Sequence, residues 1–228
     1  MKYTIILIFL LISTLTFGQQ IIYSNWKKEA KTEIRLLPKY GNAVKTKEQK
    51  TSDQELIKAY VEKAGTNRKA SELLIKQGFD YLYKQDLKTA MYRFNQAWLL
   101  DPTNADVFWG FGAIYFSFGD FESTMLQYDE GLKLNANSSN ILTDKATVYM
   151  QKFMKSNGDK DFDLAINNFK KSYSIDPENQ NTLFKMSVCY FVKKDCENAW
   201  KYYYECKKLG GKPITKEYTE ALTQGCKK

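Results

Sequence analysis

Residues 91–104 read MYRFNQAWLLDPTN. With the residue ahead of them they set Ala90, Phe94, Ala97 and Pro102 at offsets of four, three and five. The first three share one face of a helix. A face with one aromatic between two small residues is one that other backbones approach closely. Asp101-Pro102 stops that helix, because the residue before proline is pushed out of the α region.

Working outward, the arrangement recurs. In a 34-residue unit from Ser71, the residues Leu74, Gly78, Tyr81, Ala90, Phe94, Ala97 and Pro102 take positions 4, 8, 11, 20, 24, 27 and 32. One period later, Phe108, Phe111, Gly112, Tyr115, Thr124, Tyr128 and Gly131 take positions 4, 7, 8, 11, 20, 24 and 27. A third unit runs from Ser139 with Leu142, Ala146, Tyr149, Ala165, Phe169 and Pro177. A fourth runs from Gln180 with Leu183, Met186, Ser187, Tyr190, Ala199, Tyr203 and Cys206. Each unit reads as two antiparallel helices that cannot bury their apolar faces alone, so the units must stack. Gly119-Asp120 marks an intra-unit turn.

This series resembles the tetratricopeptide repeat, whose signature is W-x2-L-G-x2-Y, A-x3-F and P. The resemblance covers residues 71–211, about 60% of the chain. Gln77 and Lys145 depart from the apolar residue at position 7, Thr124 from the alanine, and Ala136 and Gly211 from the proline. The fold expected is all-α: a solenoid of about four helix pairs (71–104, 105–138, 139–179, 180–211) with a capping helix at each end. The third unit is seven residues longer than the others, and the extra residues are expected between its helices, in KFMKSNGDKDFD. Asn157-Gly158 is a turn signal there. Asp159, Asp161 and Asp163 alternate as in a calcium loop, but Leu164 and Lys170 stand where glycine and glutamate are needed, so they read as helix-start and solvated carboxylates, with no metal.

Residues 212–228 read as the C-terminal cap, with Pro213 at a helix start and Ile214, Tyr218 and Leu222 on one face. Ahead of the repeats, Ser52-Asp53-Gln54-Glu55 has the form of a capping box, and Leu56, Tyr60 and Ala64 continue it into a helix ending at Gly65. This places an N-terminal cap over 51–70. Residues 19–50 carry Trp26, Leu36, Leu37 and Tyr40 sparsely among charges and read as a basic, largely irregular segment. Two fates are open to it: a mobile leader, or a strap docked into the protein's own groove.

The N-terminus, MKYTIILIFLLISTLTFGQQ, has one cation, an apolar run from Ile5 to Phe17, and Thr16 and Gly18 at the −3 and −1 positions of a cleavage site. That is a signal peptide over 1–18, with an uncleaved anchor the alternative. It implies an exported protein, periplasmic or secreted, with no membrane-spanning segment in the mature chain. The formal charge is +8, and residues 19–70 hold most of it, with twelve Lys/Arg against six Asp/Glu. Export argues against nucleic acid as the partner and favours contact of this segment with an anionic membrane surface, or simple solvation.

The chain has no histidine. That removes Ser-His-Asp and Cys-His catalysis and His metal ligation. No cofactor is called for. The four cysteines, Cys189, Cys196, Cys206 and Cys226, all lie in the fourth unit and the last helix. Cys196 sits near the intra-unit turn and Cys226 near the same end of the following helix, which favours a Cys196–Cys226 disulfide, with Cys189 and Cys206 as buried thiols.

The resemblance implies a concave groove lined by the first helix of each unit. Here that lining includes Phe79, Tyr83, Trp109, Phe116, Phe184 and Phe191. Members that clamp the carboxylates of chaperone tails use Lys, Asn and Arg at places where this chain has Ile75, Phe79, Gly110 and Asp144. An aromatic and aliphatic groove instead suits an apolar or amphipathic peptide. The functional expectation is a non-catalytic scaffold or adaptor in the cell envelope that binds a protein or peptide partner. The alternatives are an enzyme or accessory subunit with carboxylate chemistry, and a self-occluded structural module.

Overall fold

A small residue at position 8 faces an aromatic at position 24 in every repeat. The computed structural model, which describes residues 17–156 and 158–226, is built around those pairs. Most of the expected signal segment, Asn157 of the turn signal and the last two lysines lie outside the described residues. Among the described residues every regular element is helical. The chain divides into two compact units, one ending at Ala136 and the other starting at Asn137.

The first unit contains α1 (Phe17–Glu29), two short 3-10 turns (Ile34–Leu36 and Pro38–Asn42), α2 (Lys47–Ala64), α3 (Asn67–Tyr83), α4 (Leu87–Leu100), α5 (Ala105–Phe118) and α6 (Phe121–Leu134). Helices α3 and α4 pair, α5 and α6 pair, and α5 packs on both α3 and α4. Phe94 of α4 is fully buried, and a Cβ on either Gly78 of α3 or Gly110 of α5 would collide with its ring. A Cβ on Gly112 would collide with Tyr128 in the same way. The glycines thus set how closely three helix backbones approach.

The second unit contains α7 (Ser139–Ser156), α8 (Asp159–Ile175), α9 (Gln180–Val192), α10 (Cys196–Lys208) and α11 (Lys216–Gly225). Ala146 and Phe169, then Ser187 and Tyr203, repeat the small-with-aromatic pairing, all buried. The extra residues of the third repeat do not form a loop between its helices, as the sequence suggested. They lengthen α7 and α8 to 18 and 17 residues. Phe153 and Phe162 meet across this extension at 5.4 Å, and Lys193 covers both rings while pairing with Asp159 at 2.6 Å. Asp159 and Asp161 lie in the first turn of α8, in line with the helix-start reading, and aromatic packing continues the pair beside them.

Three of the four intra-pair turns share one recipe, the α7–α8 turn at Gly158 being the exception. Gln85, Gly119 and Lys194 each adopt a left-handed φ, and Asp86, Asp120 and Asp195 follow as N-caps of the second helix. Each Asp accepts from a backbone N–H three residues on, satisfying a donor the helix cannot.

The N-terminal region is more ordered than its composition suggested. Helix α1 and the two 3-10 turns occupy most of the expected irregular segment. Helix α2 starts at Lys47, capped by the reciprocal Thr46–Gln49 box, and Ser52 to Glu55 lie inside it. The earlier box wins because it satisfies the first free N–H groups the chain offers. Gly65 ends α2 at φ 88°, and Thr66 caps α3 at once. The first repeat helix thus begins inside the expected cap.

At the other end, Cys196 and Cys226 form a disulfide with Cα atoms 5.3 Å apart. Trp200 Nε1 donates to the carbonyl of Cys226 at 3.0 Å, and Gly225 lies against the Phe191 ring. Closing a 30-residue separation contributes about 3–4 kcal/mol in the chain-entropy picture. Cys189 and Cys206 are buried thiols.

Two outcomes test this packing. Gly112→Ala should lower stability in urea by about 1–3 kcal/mol, overpacking against Tyr128 outweighing alanine's helix preference. In the native protein, Cys189 and Cys206 should resist an aromatic disulfide reagent, and reduction of Cys196–Cys226 should lower the unfolding midpoint measured by circular dichroism.

Candidate functional site

In the first unit the inner faces of α3 and α5 converge on Phe79. Its ring centroid is 4.1 Å from Trp109, 5.2 Å from Phe94 and 6.3 Å from Tyr83. Phe94 is the buried floor of this cluster, Phe79 and Trp109 are half-buried, and Tyr83 is 74% exposed. Phe116 does not join them. It meets Phe121 at 5.8 Å, next to the α5–α6 turn.

In the second unit the inner faces of α7 and α9 enclose a recess of about 90 Å³. Thr147, Met150, Gln151 and Met154 line one side, Phe184, Lys185, Val188 and Val192 the other, with Phe169 and Cys189 below. The lining is dominantly apolar, and two methionines give it side chains that adapt in shape. Lys185, the cation of this wall, is paired with Asp144 at 2.6 Å. An internal ion pair leaves the recess without a free positive charge for an acidic tail.

Of the expected groove residues, the structure moves Phe191 into the core and keeps Phe184 on the recess wall. Phe184 and Phe191 are buried, at 6% and 8% exposure, and both meet Tyr218 of α11 edge-on, at 5.3 and 6.0 Å. Phe191 lies under the C-terminal helix and is core. Phe184 reaches the recess only as part of its wall. Thr143 also turns inward, into a buried hydroxyl cluster with Ser172 and Thr182 at 2.8 and 2.6 Å. Met154 was missed from the sequence because α7 runs past the length of an ordinary repeat helix, whereas Gln151 stands at an ordinary lining position and was passed over as a polar residue. The available signal was the apolar spacing of Met150, Phe153 and Met154 across the insertion.

The N-terminal segment binds the first unit on a face other than the one Phe79 lines. Asn95 of α4, fully buried, donates to the carbonyls of Arg35 and Leu37 and accepts from the Tyr40 N–H. One side-chain amide thereby holds the turn of the segment. Tyr23 stacks on Phe118 at 4.6 Å, Trp26 tilts against the same ring, and Glu29 pairs with Lys88. Tyr115 and Phe118, which form this seat, lie across α5 from Trp109 and Phe116 by helical periodicity. Left open between a mobile leader and a strap in the groove, the segment is instead a strap on the outer side of α4 and the end of α5. Many of its charges serve the fold: Lys45 pairs with Asp53 and Arg35 with Glu33, while Lys27 and Arg35 lie over Tyr23 and Tyr92.

Burial and local hydrogen bonds set the protonation states. Burial pushes the Tyr115 phenol up to about 12, with the Asp120 charge adding to it. Burial likewise raises Tyr190 to about 12, beside Tyr202, and the Cys189 thiol to about 12. Burial pushes the Asp120 carboxyl up, but donation from Tyr23 at 2.5 Å and from Ser123, with the Lys27 charge, outweighs it and leaves the carboxyl below its ordinary value.

No protein-family model matches the sequence, and no curated protein sequence does. Solved structures match it in fold. A Pseudomonas aeruginosa PilF structure overlays with a TM-score of 0.53 at 15% identity, over 63% of this chain and 62% of that one. The chain therefore spans less than two thirds of the PilF chain. A tetratricopeptide repeat protein from Parabacteroides merdae overlays at 0.47 and 19% identity, over 68% and 59% of the two chains. YrrB, described as a tetratricopeptide repeat protein with an unusual peptide-binding site, overlays at 0.46 and 17%, over 86% and 96%. The fold is that of the tetratricopeptide repeat proteins, an all-α solenoid of helix pairs. Among the described residues no helix is long and apolar enough to cross a membrane.

The raised phenols carry a pH signature. A phenol whose folded pKa lies above the unfolded value stabilises the fold fully below about pH 10 and loses that contribution as pH rises through the folded value. The urea midpoint should therefore fall between about pH 10 and 12. The fall should be shallower in Tyr115→Phe and Tyr190→Phe.

Proposed function

We propose that this protein is a non-catalytic interaction scaffold, exported to the cell envelope, that binds an apolar or amphipathic peptide segment on the inner faces of its first helices. The observation that carries the reading is the α7–α9 recess, apolar, methionine-lined and with its cation paired internally. Such a recess recognises an aliphatic or aromatic anchor and makes no provision for a charged one. The Phe79–Trp109–Tyr83 cluster offers a second aromatic anchor point in the first unit. Its exposed rim is of the kind that marks interaction surfaces.

Two observations support export. The N-terminal sequence has the charge and apolar run of a signal peptide. The Cys196–Cys226 disulfide suits an oxidising compartment. The partner is a protein or peptide, not nucleic acid, because much of the basic N-terminal segment is spent on internal ion pairs and ring contacts. The cations that remain exposed on that segment allow it to rest against an anionic membrane surface.

Selection of displayed peptides against the purified protein should return sequences with one or two large apolar anchors. Val188 is half-buried at the recess, so Val188→Lys places a charge there without opening the core. It should weaken those peptides by about tenfold or more, about 1.4 kcal/mol. Peptides that bind this variant as well as the parent, and bind Trp109→Ala equally well, would place recognition elsewhere.

A further inference from the structure

The seat of the N-terminal segment contains a second recess, outside the repeat faces. It measures about 330 Å³ and lies among α1, the end of α5 and the start of α6. Tyr23, Ala30 and Leu37 give it apolar walls, while Trp26, Lys27, Lys31, Tyr115 and Ser123 supply polar groups. The groups facing it are mostly donors. Trp26 is 95% buried, being 5% exposed, and its indole N–H has no acceptor. A buried donor left unmet is destabilising, and a ligand that accepts from it relieves that cost. Lys27, in the last turn of α1, and Lys31, in the turn that follows the helix, are exposed and form no ion pair among the described residues; Lys27 lies over the Tyr23 ring. Asp120, the nearby carboxylate, is already served by Tyr23, by the Ser123 hydroxyl and by the Ser123 backbone N–H. The recess therefore combines one unmet buried donor with two exposed cations, one of them over the Tyr23 ring, beside apolar walls.

We propose that this recess binds a carboxylate carried on an apolar body. The carboxylate takes the indole N–H of Trp26 and the ammonium groups of Lys27 and Lys31. The apolar body lies against Tyr23, Ala30 and Leu37. A bare inorganic anion would leave those walls uncovered, and a neutral apolar ligand would leave the indole N–H unmet. Such a carboxylate comes from a free organic acid or from the C-terminal residue of a peptide. Either ligand would bridge α1 to the α5–α6 turn, so occupancy would tighten the N-terminal segment on the repeats.

The test is a nitrogen-15 spectrum of the indole groups of the purified protein. Its four tryptophans give four signals. The Trp26 signal is assigned by its loss in Trp26→Phe or, should that variant not fold, by substituting the other three in turn. The probes are 3-phenylpropanoate and its amide, and N-acetyl-Ala-Phe with a free or an amidated C-terminus. The expected result is a saturable shift of the Trp26 signal with the free acids and none with the amides. Lys27→Gln with Lys31→Gln should weaken this binding by about tenfold while the protein stays folded, with only a small drop in the melting midpoint from the lost Lys27–Tyr23 contact. Tighter binding of the acetylated dipeptide assigns the ligand to peptide termini, and tighter binding of 3-phenylpropanoate to free acids. No saturable shift up to about 20 mM, equal to a free energy near −2 kcal/mol, would overturn the proposal. So would equal shifts from the amides, or unchanged binding by the lysine variant.

Discussion

The close approach of a small residue on one helix to an aromatic on the next sets the spacing that the rest of the structure depends on. The Phe94 ring fills the volume that a Cβ would take on two glycines from two other helices. It fixes α3, α4 and α5 at once. Tyr128 against Gly112, Phe169 with Ala146, and Tyr203 with Ser187 repeat the device with progressively different chemistry. Where Ser187 replaces glycine, its hydroxyl donates to the Ala199 carbonyl at 2.7 Å and contacts the Tyr218 hydroxyl at 2.6 Å. The pairing that spaces α9 and α10 is thereby also what docks α11.

The repeat register was legible because its signals are local and periodic. Leu74, Gly78, Ala90 and Phe94 announce their faces by spacing alone. The Cys196–Cys226 pairing was legible for the same reason, since repeat positions translate into helix ends. The N-terminal segment was not, because its order comes from one distant residue. Asn95 holds three backbone groups of residues 35–40, and nothing in the segment itself names that partner. A polar residue inside an otherwise ordinary repeat helix was the available clue. The misplaced cap has another cause: two capping boxes lay six residues apart, and Thr46–Gln49 comes first in the chain.

The candidate site was half legible for a related reason. Family positions identify the inner face of a helix but not what covers it. Phe184 and Phe191 occupy groove positions, yet the terminal helix lies over them. The lengthened α7 adds Met154 to the recess, which no 34-residue template contains.

The four cysteines show how chemistry and packing divide labour at the C-terminal end. Cys189 and Cys206 are fully buried, Cys189 lies 3.2 Å from the Met150 sulfur, and burial raises both thiols. Thiols held protonated are poor nucleophiles. They do not compete for the oxidation that joins Cys196 to Cys226, so pairing is directed by environment as well as by proximity. The bond in turn holds α11 over the apolar end of the fourth pair, with Lys216, Glu217 and Glu220 outward. In the first unit, the 3-10 turns cover the outer side of α4 and α1 packs on α5, with no covalent link. In both units, then, added segments cover surfaces that further repeats would otherwise use. Tyr83 and the two methionines of the α7–α9 recess stay on first-helix faces, where packing has no further need of them. Ligand recognition is best sought where the fold keeps apolar surface that its own stability does not require.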